Sequence, residues 1–134
     1  MIPAAAGFLK QDFEVKEQPG LTWRMEPDGD HIRGEADGRE AVRQAVFCMT
    51  QIERYEYIMY PWWYGIETKD LFGEPVSYVC PELKRRITEA LLCDDRILGV
   101  DQFRFELPQK RVVHVTYTVH TVFGDVPAGR EVNF

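Results

Sequence analysis

Chemistry in this 134-residue chain would have to come from a short set of side chains: His114 and His120 as metal ligands, or the acidic pairs Glu53/Glu56 and Asp94/Asp95 as a glycosidase's acid and base. The two histidines share a face because their separation is even, but six residues of strand hold them roughly 20 Å apart, too far to share an ion. No cysteine or further histidine completes a ligand spacing, so they read as solvated histidines and no metal is expected. Sequence-adjacent carboxylates seldom flank a scissile bond. Asp94 and Asp95 precede Arg96, which suits a solvated turn or a local ion pair better than a perturbed catalytic pair. Ser77 is the only serine and has no GxSxG elbow, and no glycine-rich phosphate loop is present. The expectation is a protein without catalytic residues and without an organic cofactor.

Composition agrees with that. The chain is 45% hydrophobic and 28% charged, an ordinary globular mixture whose length suits one core. A net charge of −6 and a pI near 5.1 are the wrong sign for unaided binding to phosphate backbones or anionic lipid, so neither nucleic acid nor membrane is an expected partner. Cys48, Cys80 and Cys93 are odd in number and contain no CxxC pair, which fits a reducing compartment. The opening apolar run is broken by Pro3 and lacks a cationic flank, so neither a signal peptide nor an anchor is expected.

The elements that must position these residues follow from periodicity. Residues 1–20 show no sustained period and read as an extended arm, with a single domain over 21–123 and a tail over 124–134. Thr22–Met25 and His31–Arg33 flank Pro27-Asp28-Gly29-Asp30, a hairpin signal. Asp37 followed by Glu40 resembles a capping box, and Val42, Ala45, Val46 and Met49 form a helical stripe running to about Ile52. A second, short helix is predicted over Ile66–Phe72, ending at Gly73. The third is longer, with Val76, Val79, Leu83, Ile87, Ala90 and Leu91 on one side. Pro81 within it predicts a kink near Ser77 or a true start close to Cys80. After that the period changes to two: Phe103, Phe105 and Leu107, then Val113, Val115, Tyr117 and Val119, alternate with polar residues and predict an antiparallel hairpin. The fold class expected is α+β, with an N-terminal arm and small hairpin, three helices of unequal length, and a C-terminal antiparallel β-hairpin in a small sheet.

Between the first two helices, Tyr55–Tyr64 places six aromatics in ten residues, including Trp62 and Trp63, around Pro61. Buried, such a run would plug a core; exposed, it would supply the Tyr and Trp anchors that protein interfaces favour.

The order of these elements, and particular strings within them, resemble the baseplate wedge subunit or sheath initiator of contractile phage tails and related injection machines, also called the lysozyme-like wedge subunit. The matching strings are Asp37-Gly38-Arg39-Glu40-Ala41-Val42, Thr50-Gln51-Ile52-Glu53-Arg54-Tyr55, Tyr64-Gly65-Ile66-Glu67, Asp70-Leu71-Phe72-Gly73, Glu82-Leu83-Lys84-Arg85-Arg86-Ile87, Glu89-Ala90-Leu91-Leu92 and Asp94-Asp95-Arg96-Ile97. They look like the branch called XkdS-like in prophage tails. The resemblance implies a structural component, not an enzyme, that joins the wedge complex to the first ring of sheath and initiates sheath assembly. Its implied partners are baseplate wedge proteins and the tail sheath subunit, with the tail tube or hub beyond them, in a ring of several copies. Its implied location is the tail baseplate of a virion or a related particle, assembled in the bacterial cytoplasm. Thr50, Glu53, Arg54 and Tyr55 occupy the place of the family's wedge-contacting triplet, with Ile52 where relatives carry proline or glycine. The family's sheath-accepting hairpin would be Phe103 to Leu107 and Val112 to Val122, with Val113, His114, Val115, Thr116, Tyr117, Thr118, Val119 and His120 as the accepting strand. Two rivals stay open at this point: a lysozyme-like glycosidase at the tail tip, which needs two facing carboxylates, one with a raised pKa, and another small tail adaptor that does not touch sheath.

Overall fold

A computed structural model describes residues 19–26 and 30–134. The expected extended arm falls almost entirely outside the described residues, as does the Pro27-Asp28-Gly29 turn. Strands β1 (Thr22–Met25) and β2 (Ile32–Ala36) pair antiparallel as the sequence predicts, with Trp23 opposite Glu35. This two-stranded ribbon is mostly exposed, and a lone hairpin is marginal in water. It is tied down by one amide: the Gln44 side chain accepts from the Met25 N–H at 2.9 Å and donates to the Trp23 carbonyl at 2.8 Å, as a neighbouring strand would.

Helix α1 (Gly38–Gln51) carries Gln44. Asp37 caps it, its carboxylate accepting from the Gly38 N–H at 2.8 Å. Ala41, Val42, Val46, Met49 and Thr50 are buried, so the apolar stripe lies where the spacing placed it, although Ala45 is only half-buried and Ala41 takes its place. The helix ends at Ile52, whose backbone is extended (φ −92°, ψ 126°).

The expectation of three helices is incorrect, because among the described residues there are two α-helices. Over Ile66–Phe72 the chain makes only a single 3-10 turn, Lys69–Leu71, since Ile66 pairs as an isolated bridge with Glu53 and Phe72 is already extended. Only Gly73 keeps its expected left-handed conformation, at φ +87°. Helix α2 (Val76–Leu91) starts directly after Pro75 and passes through Pro81, so the expected start close to Cys80 is incorrect. Pro81 is the sixth helical residue and removes one bond, to the Ser77 carbonyl, while the buried stripe Val79, Leu83, Ile87, Ala90 and Leu91 holds the helix on both sides of it.

The last third is a three-stranded antiparallel sheet in the order β3-β4-β5: β3 (Ile97–Gln109), β4 (Val112–Thr121) and β5 (Gly124–Asn133). The segment 124–134, expected to be a tail of uncertain order, thus carries a full strand, Gly124–Asn133. Its sequence hides this, because Pro127 and Gly129 are weak strand formers and Arg130 interrupts the alternation that Val126, Ala128 and Val132 carry. Val113, Val115, Tyr117 and Val119 of β4 and Val126, Val132 and Phe134 join the stripes of α1 and α2 in one core. Each fully buried Leu, Ile or Val there contributes about 1.5–3 kcal/mol relative to exposure. Among the described residues, no helix is long and apolar enough to cross a membrane.

Candidate functional site

The string Thr50 to Tyr55 closes α1, and its polar groups turn inward. Thr50 is buried, and its hydroxyl donates to the Val46 carbonyl at 2.9 Å. The Thr50 carbonyl accepts from the guanidinium of Arg130 on β5, fastening the helix end to the sheet. The Glu53 carboxylate accepts from the Thr68 N–H at 3.0 Å, the Thr68 hydroxyl at 2.7 Å and the Lys69 N–H at 3.2 Å, which caps the 3-10 turn. Two backbone bonds complete the junction: Arg54 N–H to the Ile66 carbonyl at 3.1 Å and Ile66 N–H to the Ile52 carbonyl at 3.0 Å. Gly65 makes this close approach possible. It sits at φ +92°, and a Cβ there would lie 2.6 Å from the Ile52 carbonyl oxygen.

Three arginines hold the surrounding loop. Arg54 reaches Glu67 at 3.5 Å and lies over the ring of Tyr55, 5.6 Å from its centroid. Arg86 of α2 grips both carboxylate oxygens of Asp70, at 2.6 and 2.9 Å, and donates to the Glu67 carbonyl. Hydrogen bonding to Arg86 holds the Asp70 carboxyl below its ordinary pKa. Burial lowers the pKa of the Arg130 guanidinium, opposed by the charge of Glu53 and by Tyr117. Burial likewise pushes the Tyr117 hydroxyl up to about 12. The Nε atoms of Arg54 and Arg130 and the Tyr117 hydroxyl are buried with no hydrogen-bond partner among the described residues. The string is therefore a polar joint between α1, the 3-10 turn and β5, from which Tyr55 emerges, exposed and at φ +69°.

From Tyr55 the aromatic connector runs outward. Ile58 is 104% exposed, and Tyr55, Tyr57, Met59 and Trp62 also face solvent. The loop is nevertheless ordered from within, because Tyr60 stacks on Tyr64 at 4.7 Å and the Tyr60 and Tyr64 N–H groups close turns onto Tyr57 and Pro61. Of the two readings of this run, burial fits Tyr64, which packs against the core, while most of the others project.

The sheet alters the other expected site. Val113 to His120 lie on β4, the central strand, paired with β3 on one side and β5 on the other, so its main chain is already occupied. Strand addition at β4 itself would require displacing one of this chain's own strands. Among the described residues the open edges belong to β3 and β5, and they differ. The β3 ladder shifts register three times, between Ile97 and Gly99, between Asp101 and Arg104, and between Glu106 and Gln109. The β5 ladder runs without a break from Gly124 opposite Thr121 to Asn133 opposite Val112. Phe134 N–H donates to the Arg111 carbonyl at 2.9 Å, so the even-numbered residues of β5 bond to β4 and the odd-numbered ones point outward. Two outward positions agree: the Asp125 carbonyl is held by Arg39 of α1, and Pro127 has no N–H to offer. Gly129, Glu131 and Asn133 remain as outward donors and acceptors.

On the solvent face of β4, His114 and His120 are far apart in the ladder, as expected, but His120 is not simply solvated. Both its ring nitrogens are engaged, by Asp101 of β3 and Asp125 of β5, each at 2.7 Å. Of the acidic pairs, Asp94 is in a bidentate ion pair with Arg96 at 2.7 and 3.0 Å; burial raises its pKa, but the Arg96 bonds prevail and hold the carboxyl below its ordinary value. A glycosidase acid needs the opposite shift. Sequence reasoning missed Arg130, Arg86 with Asp70, and Gly65; of these, the lone glycine between Tyr64 and Ile66 was the one readable signal, since isolated glycines mark close backbone approach.

An ordered joint, a projecting aromatic loop and an open strand edge define a protein that contacts other proteins. A family model described as contractile injection system sheath initiator matches residues 12–124, and the chain belongs to that family. It is also 34% identical, over 118 residues covering 83% of each chain, to the phage-like element PBSX protein XkdS of Bacillus subtilis (strain 168). Its role in a contractile injection system is accordingly structural.

Proposed function

We propose that this chain joins the baseplate wedge to the first ring of tail sheath and starts sheath assembly, and that the sheath contact is a strand added to the outer edge of β5. The observation that carries this reading is the unbroken β5 ladder, which leaves Gly129, Glu131 and Asn133 with outward main-chain groups while β4 is fully paired and β3 is bulged. An exposed, regular edge is a template for strand addition. Most of β5 lies past the family-matched span, so its edge is argued from this chain's own ladder. On the same reading the wedge partner meets the chain at the end of α1. Thr50 and Glu53 support that contact from within, because their hydrogen-bonding capacity is used inside the chain, while Tyr55 and the loop tip around Ile58 and Trp62 supply the contact area. Several copies would form a ring in the tail baseplate of a virion or a related particle put together in the bacterial cytoplasm.

Glu131→Pro tests the sheath half. The Glu131 N–H points away from β4, so proline there removes a donor from the edge and none from the sheet. The expected result is a folded protein that still binds wedge subunits but no longer seeds polymerisation of its sheath subunit. Normal seeding by a correctly folded Glu131→Pro variant would remove the β5 assignment.

A further inference from the structure

Among the described residues, Asp101–His120–Asp125 is a side-chain cluster on the solvent face of the sheet that joins all three strands. Asp101 stands on β3, His120 on β4 and Asp125 on β5, with His120 Nε2 at 2.7 Å from the Asp101 carboxylate and His120 Nδ1 at 2.7 Å from that of Asp125. A neutral imidazole has one N–H, so one of these contacts would set a nitrogen lone pair against a carboxylate oxygen; the imidazolium donates through both. The two carboxylates approach from opposite sides of the ring, which suits a cation between them and not a chelated metal.

We infer that His120 is a proton-operated clasp: as the imidazolium it bolts both outer strands to β4, and on losing its proton it releases the first part of β3. The strand released is β3 because β5 has other fastenings nearby. Arg39 of α1 donates to the Asp125 carbonyl through Nε at 3.0 Å and Nη2 at 2.8 Å, and the β5 ladder is continuous. Near Asp101 the β3 ladder is interrupted on both sides, and Gln102 takes the left-handed conformation at φ +55°, held by one bond from the Thr118 hydroxyl. The charged groups facing His120 are therefore Asp101 from β3, Asp125 from β5 and, through the Asp125 backbone, Arg39 from α1.

The sign follows from the partners. Hydrogen bonds to Asp125 and Asp101 raise the pKa of His120 above its usual 6.5. A raised folded-state pKa favours the protonated clasp, whose contribution is complete below pH 6.5 and is lost as pH rises through the folded value. The side chain is only one-third exposed, beside carboxylates more than half exposed, so the clasp is reachable by solvent protons and weakened by salt.

The test is a proton NMR titration of the His120 ring, read together with amide-exchange protection factors for Gly99 and Asp101, on the wild-type chain and on Asp101→Asn and Asp125→Asn. The expected results are a wild-type pKa above 6.5, a lower one in each variant, and protection of Gly99 and Asp101, which pair with His120 and Thr118, that falls through the same midpoint while protection of Tyr117 and Val119, whose N–H groups face β5, stays flat. In Asp101→Asn that protection should be low and independent of pH. A wild-type pKa at or below 6.5 would overturn the clasp. So would a raised pKa with β3 protection that does not follow it.

Discussion

The end of α1 and the outer edge of the sheet handle their polar groups in opposite ways. At the helix end, Glu53, Thr50 and the backbone around Ile52 and Ile66 are paired within the chain, and Gly65 is required by contact with the Ile52 carbonyl. At the β5 edge, main-chain groups of three outward residues have no partner strand among the described residues, and most of the nearby side chains are exposed. A family string made of a threonine, a glutamate and an arginine suggests contact chemistry, but here its side chains build the joint, and on the proposed reading contact falls to what the joint holds out. Motif residues can thus serve an interface by shaping it.

This contrast is sharpened first at Gly65. Alanine there must adopt a left-handed φ with its Cβ 2.6 Å from a backbone oxygen, so Gly65→Ala should destabilise the fold by about 2–4 kcal/mol in urea unfolding. A loss below 1 kcal/mol, on the order of an ordinary surface change, would mean the junction is looser than described. Glu53→Gln comes next. It keeps the shape but removes the charge from three donor contacts and should cost roughly 1–3 kcal/mol. If the carboxylate instead served mainly to contact a wedge protein, Glu53→Gln would leave stability unchanged and abolish only wedge binding. The smallest effect on the monomer belongs to the loop: Ile58→Asp should change stability by no more than about 0.5 kcal/mol while preventing wedge association. Intact association with that variant would move the wedge contact elsewhere.

What could be read from the sequence divides along similar lines. Val42, Val46 and Met49 on α1, and Val113 to Val119 on β4, obey one strong period each, and they were buried where the spacing put them. The middle helix failed because Ile66 is claimed by a bridge to Glu53, a long-range pairing that local propensity over Ile66–Phe72 does not register. Pro81 misled in the other direction, since tertiary packing of Val79 and Leu83 outweighs one lost hydrogen bond. The position of the sheet's open edge was hidden by a topological fact: a hairpin of β3 and β4 has two open edges, and once 124–133 is recognised as a strand, β4 has none. Arg130 and Asp125, which anchor the sheet to α1 and to His120, lie in that same overlooked segment.

The central claim is that sheath adds to β5 and not to β3 or β4. Amide exchange resolved by residue, on the chain alone and with its sheath subunit, tests it most directly. Outward amides are exposed in the free chain and inward ones already bonded, so binding should raise protection selectively at Gly129, Glu131 and Asn133 and leave Ala128, Arg130 and Val132 nearly unchanged. New protection confined to β3, for example at Val100 and Phe105, or none on either edge despite complex formation, would contradict it.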